Sequence, residues 1–148
     1  MKLSYKKTVL FYKLTMLIII IGLPASGKTT YYNQNKTLKD NYTFHDDFIF
    51  NFIDGELIDD IKTGKDVCIT DPRLCNFNIF QNVIKIIKEY IEENKIKLVL
   101  FRNNKEHCLL NAKKRNNKNV DKTIENYSKL YDLNNYKDYN SEIIDVYF

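Results

Sequence analysis

Short unbroken apolar runs alternate along this chain with segments in which apolar residues return every three or four positions. Leu17 to Ile21, Tyr42 to His45, Asp66 to Thr70, Lys97 to Phe101 and Ile143 to Tyr147 have the length and β-branched or aromatic content of strands. Between them, Lys28 to Asn35 predicts a helix and Phe48 to Lys62 a less regular one. Ile79, Val83, Ile84, Ile87, Tyr90 and Ile91 recur at helical spacing over Asn78 to Glu93, with Asn76 or Asn78 as the cap. Two more helices are expected, over Lys105 to Lys114 and from Asp121 to about Tyr131, the second burying Ile124, Tyr127 and Tyr131. Asn134 to Asn140 is polar and reads as a loop. Strands that alternate with helices predict an α/β protein: about five parallel strands sandwiched between helices.

Length limits this pattern to one unit, since 148 residues hold a single core and no linker or repeat interrupts them. Basic residues followed by Leu14 to Ile21 imitate a signal peptide, but the apolar run is far shorter than the roughly 20 residues of a membrane span and no small-residue cleavage pattern follows it. It is read as the first strand. Met16 stands just before it, so residues 1–15 are expected to be an extension outside a domain of residues 16–148. The formal charge of +4 comes from 23 basic and 19 acidic side chains, an excess too small to point to nucleic acid. The cysteines, Cys68, Cys75 and Cys108, lack metal-ligand spacing, and their odd number suits reduced structural thiols in a cytoplasmic compartment with no membrane association.

The chemistry concentrates where the first strand ends. Gly22-Leu23-Pro24-Ala25-Ser26-Gly27-Lys28-Thr29 matches G-x-x-x-x-G-K-[ST] in full, between a strand and a helix as that motif requires. The glycines let successive N–H groups turn toward phosphate oxygens, and the following helix start, with Thr30 next in line, adds its dipole. Lys28 can bridge the outer phosphates and the Thr29 hydroxyl can hold Mg²⁺. The sequence therefore predicts a P-loop NTPase fold that binds ATP with Mg²⁺.

Two carboxylate sites fall just past the ends of other strands, where an open parallel sheet binds its ligands. Asp46, with Asp47 beside it, is placed to take a proton from an incoming hydroxyl, and Asp71 stands where a carboxylate supports Mg²⁺ or the substrate. Capping of the next helix is the competing reading for Asp47. Cations come from Lys113, Lys114, Arg115 and Lys118, a run between two predicted helices that can form a short lid. Arginine is scarce in this chain, which singles out Arg115. Arg73 and Arg102 also fall at the sheet edge, either to meet substrate phosphate or to pair with a carboxylate. His45 and His107 read as ordinary polar positions.

These residues carry a resemblance. Ile18 to Thr30, then Tyr42-Thr43-Phe44-His45-Asp46-Asp47-Phe48, Ile69-Thr70-Asp71 and Asn111 to Val120 resemble, in order and approximate spacing, the 5′-hydroxyl kinase domain of phage polynucleotide kinase. The resemblance implies that Asp46 is the general base, that Lys28 and Thr29 serve phosphate and metal, that Asp71 is a substrate-side or metal-side carboxylate, and that Arg115 is a lid arginine. Three positions depart from that pattern: Asn111 stands for the first lid arginine, Asp121 for the lid proline, and Ile49 for an arginine that contacts substrate phosphate. The chain has neither a D-x-D-G-T pattern nor room for the accompanying phosphatase domain.

The expected activity is transfer of the γ-phosphate of ATP to a hydroxyl acceptor, with a polynucleotide 5′ end ahead of a nucleoside, nucleotide or other small molecule. The alternative is a non-catalytic, nucleotide-dependent switch module. For that class Asn117, Lys118 and Asn119 begin like N-K-x-D, but the aspartate arrives one residue late, at Asp121.

Overall fold

The computed structural model describes residues 15–51 and 55–147. Five strands, β1 (Leu17–Ile21), β2 (Thr43–Asp46), β3 (Val67–Thr70), β4 (Ile96–Phe101) and β5 (Ser141–Ile144), form one sheet in the order β2-β3-β1-β4-β5. Every neighbouring pair is parallel. Parallel strands need crossovers, which here contain α1 (Lys28–Gln34), α2 (Lys36–Asn41), α3 (Glu56–Lys62), α4 (Phe77–Ile87), α5 (Lys105–Lys114) and α6 (Asp121–Leu130). The apolar runs that predicted strands are explained by burial on both faces: Leu17, Ile19, Ile20 and Ile21 of the central β1 are fully buried.

Alternation along β2 shows how the faces are covered. Phe44 points to one side, where Tyr32 of α1 stacks on it at 4.2 Å, while Tyr31 meets Phe101 edge-on at 6.1 Å. The next residue, His45, points to the other side, where its Nε2 lies 2.8 Å from Asp60 of α3. Asp60 also holds Lys65 at 3.3 Å. His45 thus ties the edge strand to a helix. His107 hydrogen-bonds the side chain of Asn104, the residue that caps α5.

The expected boundaries shift for identifiable reasons. α2 was not expected, because Leu38 is its one apolar anchor; Asn35 starts it by accepting from the Leu38 N–H at 3.1 Å. The irregular helix expected over Phe48 to Lys62 resolves into a 3₁₀ turn, Phe48–Asn51, and α3, which begins after Gly55. The helix expected to reach Glu93 stops at Ile87, although Ile91 beyond it is still buried. Asn76 rather than Asn78 is its cap. β5 starts two residues earlier than predicted, because the Leu98 N–H takes the carbonyl of Asn140 and β4's last bond, from the Arg102 N–H, goes to Ile144.

The polar stretch after α6 proved to be a packing element. Asp132 caps a 3₁₀ turn, Leu133–Tyr136, and Tyr136 is fully buried with its hydroxyl donating to the Leu74 carbonyl. Around it, Phe77, Phe80 and Tyr139 form an aromatic cluster in which ring centroids lie 4.9–5.8 Å apart. Phe80→Ala would open a cavity in this cluster and is expected to cost about 3–5 kcal/mol, read as a lower urea midpoint at unchanged slope.

Residues 1–14 lie outside the described residues. Thr15, placed in the extension by sequence, is instead fully buried, with Met16 donating to Asp66 at 2.9 Å. All three cysteines are free and buried. Burial pushes the thiols of Cys68 and Cys75 up to about 12 and that of Cys108 to about 11, so they stay protonated and inert. Among the described residues no helix is long and apolar enough to cross a membrane.

Candidate active site

The loop from Gly22 to Thr29 leaves β1 at the centre of the sheet and enters α1. Its backbone is held in conformations that side chains resist. Ala25 has φ 63° and Gly27 φ 102°. A Cβ on Gly27 would also stand 2.7 Å from the Tyr147 ring, and one on Gly22 would meet Ser26 Oγ at 2.7 Å and Phe101 Cβ at 2.9 Å. Glycine is required at both positions by space, and at Gly27 by φ as well.

Between Gly22 and Ser26, four carbonyls already have protein donors. Lys28 Nζ donates to the carbonyls of Gly22 and Leu23 at 2.9 and 2.8 Å. The Asn111 side chain donates to Ala25 at 3.0 Å, and the Tyr147 N–H to Ser26 at 3.1 Å. The Ser26 N–H is also used, donating to the Leu23 carbonyl at 3.2 Å, whereas the N–H groups of a helix's first turn have no intrahelical acceptor and can serve an anion. Ser26 Oγ is the buried side-chain polar atom that has no hydrogen-bond partner among the described residues. A glycine cradle of this shape, an orphan hydroxyl and a buried ammonium fit a polyphosphate.

Lys28 is buried, and desolvation lowers its pKa below the ordinary lysine value. The nearby carboxylates of Asp46 and Asp47 oppose that shift. A partly desolvated ammonium attracts phosphate more strongly than one in water.

The loop forms one wall of a cleft of about 350 Å³. Lys28, Thr29 and Thr30 reach it from the start of α1, Asp46 and Asp47 from the end of β2, and Arg115 from the end of α5. Asp46 keeps contact with solvent, yet its pKa is raised above the ordinary carboxylate value, first by desolvation and then by the charge of Asp47; Lys28 and an Asp47 backbone hydrogen bond oppose the rise. Asp47 adopts φ 49°, and its N–H bonds the Thr70 carbonyl at 3.0 Å, which turns the chain over the end of β3. Asp47 also lines the cleft.

Asp71 and Arg73 sit differently. Asp71 is fully buried; Arg73 donates to its two oxygens through Nε at 2.8 Å and Nη2 at 2.6 Å, and backbone N–H groups of Arg73 and Ile49 donate as well. Neither residue lines the cleft, where Pro72 between them does. The bidentate pair fastens the 3₁₀ turn Pro72–Cys75 that follows β3. Asp71→Ala would remove the bidentate charge-assisted bonds and the acceptor of the Arg73 and Ile49 N–H groups, and is expected to cost about 2–3 kcal/mol of stability in chemical denaturation. Arg102 is likewise paired, with Asp145 at 2.9 Å, and both are exposed. Lys113 and Lys114 are exposed, Lys113 on a separate groove between α5 and α6. The side chain of Lys118 lies outside the described residues.

For Mg²⁺, the fit rests on Thr29 with the cleft carboxylates rather than on Asp71, whose oxygens are engaged. Among the described residues no group of three or more His, Cys, Asp or Glu is placed to hold a metal. That suits an ion that takes one or two protein oxygens and completes its shell with water and substrate phosphates.

Asn111 and Tyr147, which hold loop carbonyls without lining the cleft, are contacts that sequence reasoning does not find. Asn111 was noted only for standing in place of an arginine. Its burial, 6% exposed, is visible only in the fold.

The described residues define an α/β protein with a five-stranded, all-parallel sheet flanked by helices, its central strand feeding the glycine loop. No protein-family model matches the chain. It is similar to Uncharacterized protein R277 of Acanthamoeba polyphaga mimivirus, 41% identical over 134 residues that span 88% of this chain and 96% of that protein. At that identity and coverage the chain belongs to the same family as R277.

Proposed function

We propose that the protein is an ATP-dependent phosphotransferase that moves the γ-phosphate to a hydroxyl acceptor, with a polynucleotide 5′ end the first acceptor to test. The observation that carries this reading is the single cleft shared by Lys28 and Thr29, Asp46, and Arg115, three groups from separate elements with complementary duties. Phosphoryl transfer asks little covalent chemistry of a protein and much positioning and charge stabilisation. In this reading Gly22 to Thr30 holds the donor phosphates, and Lys28 with Arg115 balances the charge that builds on the migrating group. Mg²⁺, held by Thr29 and a cleft carboxylate, would supply further charge neutralisation. Asp46 orients the acceptor hydroxyl and takes its proton; desolvation and the charge of Asp47 raise its pKa, which makes it a better base than an ordinary aspartate.

The test is transfer of labelled γ-phosphate from ATP and Mg²⁺ to 5′-hydroxyl DNA and RNA oligomers, nucleosides, nucleoside monophosphates and small polyols. Labelled product from one class establishes the activity and names the acceptor. ATP binding without label on any acceptor would contradict the transferase reading.

A further inference from the structure

Of the loop carbonyls with protein donors, two owe them to residues far away in sequence. Asn111 of α5 donates from Nδ2 to the Ala25 carbonyl, at the residue with φ 63°. The same Nδ2 donates to the carbonyl of Tyr147, in the extended segment after β5. Tyr147 in turn donates its N–H to Ser26 and lays its ring where a Gly27 side chain would be. Phe101 of β4 backs that ring edge-on at 6.0 Å and also closes on Gly22. The segment Ala25 to Gly27, left-handed at Ala25 and at Gly27, is therefore held by one amide and one tyrosine.

We propose that Asn111 and Tyr147 are positioning residues, a clamp that holds the Gly22–Thr29 loop in its anion-binding shape and fixes α5 to it. The physical need is specific. A left-handed alanine is strained and persists only when surrounding bonds over-determine it. Asn111 supplies such a bond at Ala25 itself. Being 6% exposed, its amide would be left unsatisfied if the loop relaxed.

The clamp also constrains Arg115. Asn111 and Arg115 lie one turn apart on the same face of α5, and the Arg115 N–H bonds the Asn111 carbonyl at 3.2 Å. The arginine is carried on a helix fastened to the loop it serves, so it meets phosphate by side-chain movement, without a swing of the helix.

The inference rests on the phosphate-loop reading, and its test separates the two. Hydrogen exchange of the full chain reports the loop amides, and titration with tripolyphosphate reports the cradle without a base or acceptor. Asn111→Leu keeps the volume and removes both donated bonds; Tyr147→Ala removes the wall; Tyr147→Phe keeps the ring and both main-chain bonds. Asn111→Leu and Tyr147→Ala are expected to speed exchange of the Gly22–Thr30 peptide, with β1 and β4 as protected as in the parent, and to weaken tripolyphosphate binding tenfold or more. Tyr147→Phe is expected to behave as the parent does. Loop exchange and binding within twofold of the parent in Asn111→Leu would overturn the clamp alone, as would faster exchange spread equally over β1 and β4. A parent that binds no tripolyphosphate would overturn the phosphate-loop reading and the clamp with it.

Discussion

Replacing Lys28 with methionine is expected to weaken binding of Mg²⁺ and ATP by at least ~30-fold while leaving the fold intact. The methionine stem fills the same buried volume and carries no charge to desolvate, so the far-ultraviolet circular dichroism should not change. Removing a buried, hydrogen-bonding charge from a phosphate contact costs about 2–5 kcal/mol, an affinity loss of ~30-fold to several thousand-fold. Calorimetric titration reads it directly. The lowered pKa of Lys28 adds a pH signature: its ammonium loses its proton below the ordinary lysine range, so phosphate affinity in the parent should fall earlier at alkaline pH than an exposed lysine would allow. The sign for stability is opposite. A lysine whose folded pKa is depressed destabilises the fold while both states are protonated, and that penalty shrinks as pH rises through the folded value.

Asp46→Asn should separate binding from chemistry. The amide keeps the shape of the carboxylate and cannot take a proton, so transfer is expected to fall about 10²–10⁴-fold with ATP affinity nearly unchanged. The acid limb of the parent's pH–rate profile should lie above the ordinary aspartate range, since desolvation and Asp47 raise the Asp46 pKa. For stability the raised carboxylate pKa means that the folded protein holds this proton more tightly than the unfolded chain. Stability therefore falls as pH rises between the two values, and at neutral pH Asp46→Asn should melt no lower than the parent. A variant that loses activity without losing stability is the mark of a residue kept for chemistry.

What could be read from the sequence follows from where each signal is local. The all-apolar run Leu17 to Ile21 announces a strand buried on both faces, and the glycine spacing after it defines the loop within eight residues. Asp46 and Asp47 could be placed because strand ends are where parallel sheets gather ligands. α2 escaped because a six-residue helix with one apolar anchor has no period to detect. Tyr136 escaped because its burial depends on Phe77, Phe80 and the Leu74 carbonyl, none of them near in sequence. Asp71 and Arg73 show the same limit at the site: Asp71 reads as a ligand of metal or substrate and Arg73 as a partner of either phosphate or a carboxylate, and the structure folds the arginine back onto Asp71 itself. Asn111 and Tyr147 meet across 36 residues at one nitrogen, a contact that only the tertiary fold creates.

The most direct test of the account is a single-turnover experiment that follows labelled γ-phosphate with the parent, Lys28→Met and Asp46→Asn, each at saturating acceptor. Label should move to the acceptor hydroxyl in the parent, remain on bound ATP in Asp46→Asn, and remain on free ATP in Lys28→Met. Transfer at the parent's rate by Asp46→Asn, or by Lys28→Met, would contradict the assignment of this cleft as a phosphotransferase site.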